Sequence, residues 1–177
     1  MYYPRAEHTY IMKTFFDIIK DNNINYIADI GTGRTSLYML GNYFGYAKID
    51  AMYPIYNFER IKLIADSIKT VKYNLVKLDI RKQHITKGYD LCLAHLVLTR
   101  GIDNNMDLKE LLNGIFRFIT RYLIIIEDKD IALNMNIVKF ATKCGYKLIK
   151  KLETKVPNEF INGDQKKDIG YLFEKKY

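Results

Sequence analysis

Tryptophan is absent from the 177 residues, proline occurs three times, and cysteine only twice, as Cys92 and Cys144. Two thiols set in apolar stretches without Cys-x-x-Cys spacing exclude a disulfide framework and a zinc site, and leave core filling as their role. Apolar runs long enough to cross a bilayer are missing, and the stretch from Met1 to His8 lacks the basic flank and apolar centre of a secretory leader. The expectation is a cytoplasmic protein with no membrane partner. Internal repeats and low-complexity segments are lacking too, which removes repeat architectures.

What is present is an ordinary globular balance, 49% apolar and 27% charged residues, in a length that suits one domain and falls short of two. A single domain over residues 1–177 is expected. The formal charge of +8 favours an anionic partner such as nucleic acid, although the lysines are spread along the chain rather than massed.

Apolar periodicity divides the chain. His8 to Ile19 carries Tyr10, Ile11, Phe15, Ile18 and Ile19 at helical spacing, and Asp21-Asn22-Asn23 ends that helix. Strands are predicted over Ile24–Ile30, Tyr46–Asp50, Tyr73–Leu78, Tyr89–Ala94 and Tyr122–Ile126. Helices fall between them, with apolar faces at Leu37–Phe44, over Asn57–Ser67 and at Leu111–Phe118, and a last one over Ala132–Cys144 has Leu133, Ile137, Phe140 and Ala141 inward and Gly145 as its C-cap. The charged segment Thr99 to Asp107 reads as a loop. Tyr146–Thr154 and Ile169–Lys175 are two strands with no crossover helix between them, so they pair antiparallel. The pattern predicts a doubly wound α/β fold: a mostly parallel seven-stranded sheet that ends in an antiparallel hairpin, with helices on both faces.

In such sheets ligands bind beyond the carboxyl ends of the strands, at the switch in strand order. The first strand runs into Gly31-Thr32-Gly33, where glycine allows positive φ and lets a ligand approach the backbone. A helix starting near Thr35 or Ser36 aims its unpaired N–H groups at the same place. The other strands are expected to end on Asp50, Asp79, Ala94-His95 and Glu127-Asp128. Singly, each polar end is more often a cap; the five together favour a ligand crevice.

Asp29-Ile30-Gly31-Thr32-Gly33 followed by Asp50, with the hairpin closing the sheet, resembles the class I S-adenosylmethionine-dependent methyltransferases over nearly the whole chain. Thr35 stands where the family motif has its last glycine. Ser36 stands where a dinucleotide fingerprint needs one, which disfavours nicotinamide and flavin enzymes. The resemblance implies S-adenosyl-L-methionine as cofactor, with Gly31 and Gly33 approaching its methionine part and Asp29 and Thr32 also among the cofactor-binding residues. It also implies an ionised, unpaired Asp50 at the ribose, Met52 on an adenine face, Asp79 with Ile80 at the adenine amine, and Ala94 at the end of the fourth strand. Arg81 and Lys82 offer Asp79 a plain ion pair instead.

The fourth strand, from Tyr89 to Leu98, resembles the motif of methyltransferases that act on small molecules or RNA. It lacks the Pro-Pro-aromatic signature of enzymes that methylate exocyclic amines of DNA bases. His95 is the candidate catalytic base, a satisfied structural histidine being the alternative. Glu127 and Asp128 resemble the acidic strand end of metal-dependent catechol-type enzymes, but Ala94 and His95 occupy the place where those need a carboxylate, so no metal is expected. Arg34, odd beside a cationic sulfonium, faces solvent, grips an anionic substrate, or marks a pocket that no longer takes the cofactor.

The expected function is methyl transfer to RNA, another anionic substrate, a protein or a small molecule. Segments outside the core are few: Tyr2, Tyr3, Arg5, His8 and Tyr10 at the start, Tyr53–Phe58, and Arg100–Asp107. So open a site suits a large substrate, or closure by a second subunit in a homodimer. The alternative is a catalytically inactive methyltransferase-like chain serving as a nucleic-acid-binding or assembly protein.

Overall fold

Seven strands form one sheet: β1 (Tyr26–Ile30), β2 (Lys48–Tyr53), β3 (Tyr73–Lys77), β4 (Gly88–His95), β5 (Ile119–Asp128), β6 (Tyr146–Thr154) and β7 (Asp168–Lys175). Their order is β3-β2-β1-β4-β5-β7-β6, and only β7 runs against its neighbours. The computed structural model describes residues 6–53, 59, 62, 63, 66, 67, 72–154 and 167–176. The segment Met1 to Arg5, most of the helix expected over Asn57–Ser67, the loop after Tyr53 and the loop around Pro157 lie outside these residues.

Helices cover both faces, which is why the central strands are apolar at consecutive positions rather than at alternate ones. Along β5, Leu123 and Ile125 enter one buried cluster while Ile124 and Ile126 enter the other. The second of these clusters takes α1 (Ala6–Ile19) and α2 (Arg34–Tyr43). The first takes α3 (Val97–Asp103), α4 (Leu108–Phe116), α5 (Lys129–Asn134) and α6 (Ile137–Lys143). Cys92 is buried, as core filling requires, and burial pushes its thiol up to about 12; Cys144 is half-buried.

Three expectations are corrected. The inward face of α1 is Ile11, Met12, Phe15, Phe16 and Ile19, with Tyr10 and Ile18 exposed, so the stripe lies one step round from the predicted one. The charged segment after Thr99 is a loop only from Asn104 to Asp107: Glu127 accepts the N–H groups of Leu98 and Thr99, and the chain coils into α3 as far as Asp103. The last helix is two, because Asn136 takes a left-handed φ of 50° between them and turns Leu133 out to solvent. Gly145 has φ 81° just past α6, as a helix stop demands.

Sheet order reverses between β1 and β4, so the crevice faces the carboxyl ends of those two strands. Their register pairs Ile30 with Ala94, which sets the glycine turn after Ile30 beside His95.

Candidate functional site

β1 ends as the sequence predicts. Gly31 takes φ 68°, a conformation that L side chains rarely adopt, and a Cβ there would meet Val97 Cγ2 at 3.0 Å. Thr32 donates its N–H to the Met52 carbonyl at 2.8 Å, tying the turn to the end of β2. Beneath it lies Asp29, fully buried, with Oδ2 accepting from the Thr32 hydroxyl at 2.5 Å and from the Ser36 hydroxyl at 2.7 Å. Ser36 also accepts the Gly33 N–H at 3.1 Å, so one serine in the first turn of α2 holds both the acid and the glycine turn.

Asp29 Oδ1 has no hydrogen-bond partner among the described residues. A buried carboxylate oxygen left so is costly. Desolvation raises the Asp29 carboxyl to about 6 against the pull of Thr32, Ser36 and the Arg100 charge. Arg100, on α3, reaches across the turn: Nη1 donates to the Gly31 carbonyl at 3.0 Å, and Nη2 lies 3.3 Å from where a Gly33 Cβ would stand. A guanidinium thus borders the seat, a feature hidden in the sequence because Arg100 falls in a segment that reads as a loop.

Asp50 is a correction. β2 continues three residues past it to Tyr53, and Asp50 stands level with Ala28 rather than with the glycine turn. Nor is it unpaired: Oδ2 accepts from Lys87 Nζ at 2.7 Å and from the Tyr89 hydroxyl at 2.8 Å, with Asn74 Nδ2 at 3.4 Å from Oδ1. Lys87 and Tyr89 come from the amino end of β4, so the carboxylate is tied away from the crevice. Burial, reinforced by the Asp50 carboxylate, pushes the Tyr89 hydroxyl well above its ordinary range.

At the third strand the plain ion pair is present. Asp79 accepts from Arg81 Nε at 2.9 Å, Nη2 at 2.7 Å and the backbone N–H at 3.1 Å, and the hydrogen bonds from Arg81 hold its carboxyl below the usual value. Ile80, by contrast, enters one buried cluster with Met52, Ala94 and Val97. Its carbonyl accepts from Arg117 Nη2 at 2.6 Å, and a Cβ on Gly114 of α4 would meet that carbonyl oxygen at 2.5 Å. Glycine at 114 is what lets α4 press on the segment.

The acidic ends of β5 are helix caps. Glu127 accepts the N–H of Leu98 at 2.9 Å, the N–H of Thr99 at 3.0 Å and the Thr99 hydroxyl at 2.8 Å, while burial raises its carboxyl to about 7. Asp128 accepts the N–H groups of Asp130 and Ile131 at the start of α5.

At the end of β4 the chain bends sharply, Leu96 taking a left-handed φ of 57°. His95, 4% exposed, does not stand alone: its Nε2 lies 2.9 Å from His8 Nδ1, and His8 Nε2 lies 2.6 Å from Asp168 Oδ2. Sequence reading missed this cluster because its members are 87 and 160 residues apart.

The structure therefore gathers Asp29, Gly31, Thr32, Gly33, Met52, Ala94 and His95 around the switch point, brings Ile80 to the adjoining apolar wall, and leaves Asp50 and Asp79 with protein partners. Solved structures share the fold. N-methyltransferase NodS from Bradyrhizobium japonicum matches with a TM-score of 0.72 at 9% identity, over 97% of this chain and 96% of its own. The class I methyltransferase fold is this chain's fold. Among other chains with this methyltransferase fold, a candidate RNA methyltransferase from Pyrococcus horikoshii matches with a TM-score of 0.70 at 14% identity, over 94% of this chain and 83% of its own. TYW2 from M. jannaschii, solved in complex with AdoMet, matches with a TM-score of 0.64 at 18% identity, over 99% of this chain and 79% of its own. No family model matches the sequence, and no curated protein matches it either.

Proposed function

We propose that this chain is an S-adenosylmethionine-dependent methyltransferase. The observation that carries the reading is the left-handed glycine turn at the β1–β4 switch point, set on a buried carboxylate with one oxygen unpartnered among the described residues. An ammonium group is the donor such an oxygen lacks, and the amino-acid part of S-adenosylmethionine carries both an ammonium and a carboxylate. Asp29 would hold the first and Arg100 the second, with Gly31, Thr32 and Gly33 offering close backbone approach. Met52, Ile80, Ala94 and Val97 supply apolar surface for the adenine. Asp50 has no part in this arrangement.

The cofactor supplies an activated methyl group; the chain's own task is to align donor and acceptor and to exclude water. Neighbours in fold act on different acceptors by their descriptions, and RNA or a small molecule suits the net charge of +8 and the few added segments. Protection of the thermal midpoint by S-adenosylmethionine tests the reading, because a ligand at a hundred times its Kd stabilises by about 2.7 kcal/mol. No protection by the cofactor or by S-adenosylhomocysteine would remove it.

Two observations favour a second reading. Arg100 already hydrogen-bonds the glycine turn, and Asp50 is tied to Lys87, as in a chain that keeps the sheet and binds nucleic acid without turnover. RNA affinity that falls steeply with salt, with no cofactor binding, would select it.

A further inference from the structure

α3 is held from outside itself. Its N-cap residue, Leu96, takes a left-handed φ of 57° and offers no side-chain acceptor to the first N–H groups of this seven-residue helix. Those groups turn to the end of β5. Glu127 Oε1 accepts from the Leu98 N–H, and Oε2 accepts from both the N–H and the hydroxyl of Thr99. The Thr99 oxygen accepts in turn from the Asp128 N–H at 3.3 Å, and Leu96 gives its own N–H to the Ile126 carbonyl at 2.8 Å. A helix this short has little stability of its own, so α3 takes its direction from β5.

Farther along, Gly101 fits α3 against α4, since a Cβ there would run into Leu111 Cδ1 and lie 3.2 Å from Leu108 Cδ2. Arg100 stands between the two anchors, with Thr99 on one side and Gly101 on the other. Its Nη1 donates to the Gly31 carbonyl at 3.0 Å, and from the same helix Val97 Cγ2 lies 3.0 Å from where a Gly31 Cβ would be. Two side chains of α3 therefore meet the glycine turn, and both move if the first turn of that helix tilts. Glu127 is fully buried, and each of its oxygens faces a backbone N–H, so an amide of the same size sets its NH₂ group against a donor.

We propose that Glu127 is a positioning residue of the cofactor seat: by fixing the first turn of α3 it sets the reach of Arg100 to the glycine turn, and so the grip on the cofactor's carboxylate. This rests on the methyltransferase reading above. Glu127 itself touches no cofactor; it is buried beneath α3 and acts through the helix. Losing its hold on Leu98 and Thr99 lets α3 tilt, and a guanidinium at the end of a long side chain magnifies the tilt. A residue that only stabilised the fold would weaken the seat whether or not Arg100 were present. Glu127 should matter to cofactor affinity only while Arg100 is there to be misplaced.

The cofactor-free protein gives the first test, by NMR of its arginine side chains, with Arg100 assigned through Arg100→Lys. Slow rotation of the Arg100 guanidinium is expected in the unmodified protein and fast rotation in Glu127→Gln; equal rotation in the two would overturn the inference. A double-mutant cycle on S-adenosylmethionine affinity gives the second. Glu127→Gln should weaken binding about fivefold or more in the parent chain, and by less than about twofold in Arg100→Ala. Equal losses in both backgrounds, or no loss in the parent, would also overturn it. Thr99→Val keeps both N–H bonds to Glu127 and removes only the hydroxyl; it should show a smaller loss with the same dependence on Arg100, and it carries the cycle if Glu127→Gln does not fold. Absence of cofactor binding by the unmodified protein, with Arg100 rotation still governed by Glu127, would overturn the methyltransferase reading itself and leave Glu127 no cofactor to serve.

Discussion

Tyr89 donates its hydroxyl to Asp50 at 2.8 Å, reaching from β4 to β2 over the intervening β1. The residue of β1 in register with Asp50 is Ala28, whose small side chain leaves room for the contact. A carboxylate held in this way is part of the fold. Asp50→Ala strands the Tyr89 hydroxyl in a buried site and should lower stability by about 1–3 kcal/mol, with cofactor affinity almost unchanged. Chemical denaturation and cofactor titration of the one variant check both halves, and a large loss of affinity at full stability would return Asp50 to the ligand.

Asp29 makes stability depend on pH. Its carboxyl rises from 3.8 unfolded to about 6 folded, and that of Glu127 from 4.5 to about 7. Between those values the folded chain holds the extra protons, so these two groups lower stability as pH rises through the window, and their full cost is present above it. Asp29→Asn keeps the shape and removes the titration. Urea midpoints at about pH 4.5 and about pH 7.5 should differ less in this variant than in the parent chain. Parallel behaviour of the two would refute the assignment.

Gly114 is needed for contact rather than for its dihedral freedom. Gly114→Ala sets a methyl group 2.5 Å from the Ile80 carbonyl oxygen, which is backbone and yields little. A loss of about 1–3 kcal/mol is expected from such overpacking. An unshifted thermal midpoint would mean that α4 can move away without cost.

Arg100 separates the two functional readings. If its guanidinium holds the cofactor carboxylate, Arg100→Ala should weaken S-adenosylmethionine about tenfold or more through loss of a charge-assisted pair. Tighter binding by the variant would show instead that Arg100 fills the seat.

The fold was legible because its signals are local and strong. The run Tyr122 to Ile126 is apolar enough to be a strand buried on both faces, and Tyr146–Thr154 and Ile169–Lys175 follow each other without a helix, which forces the antiparallel end of the sheet. The glycine turn was legible too, since Gly31 and Gly33 end an apolar strand. Asp50 misled because a charged residue in an apolar strand looks like its end, whereas Lys87 and Tyr89, distant in sequence, hold it inside the strand. Glu127 and Asp128 stood out as acids at a strand end, but only the coiling of α3 and α5 reveals them as caps. His8 and Asp168 carry no local signal, being 160 residues apart.

Isothermal titration of the protein with S-adenosylmethionine decides whether the glycine turn is a cofactor seat. Saturable heat with one site per chain is expected, reproduced by S-adenosylhomocysteine and weakened in Arg100→Ala. No heat from either compound at about 0.1 mM protein, where even a weak complex of about 0.1 mM Kd would register, would contradict it.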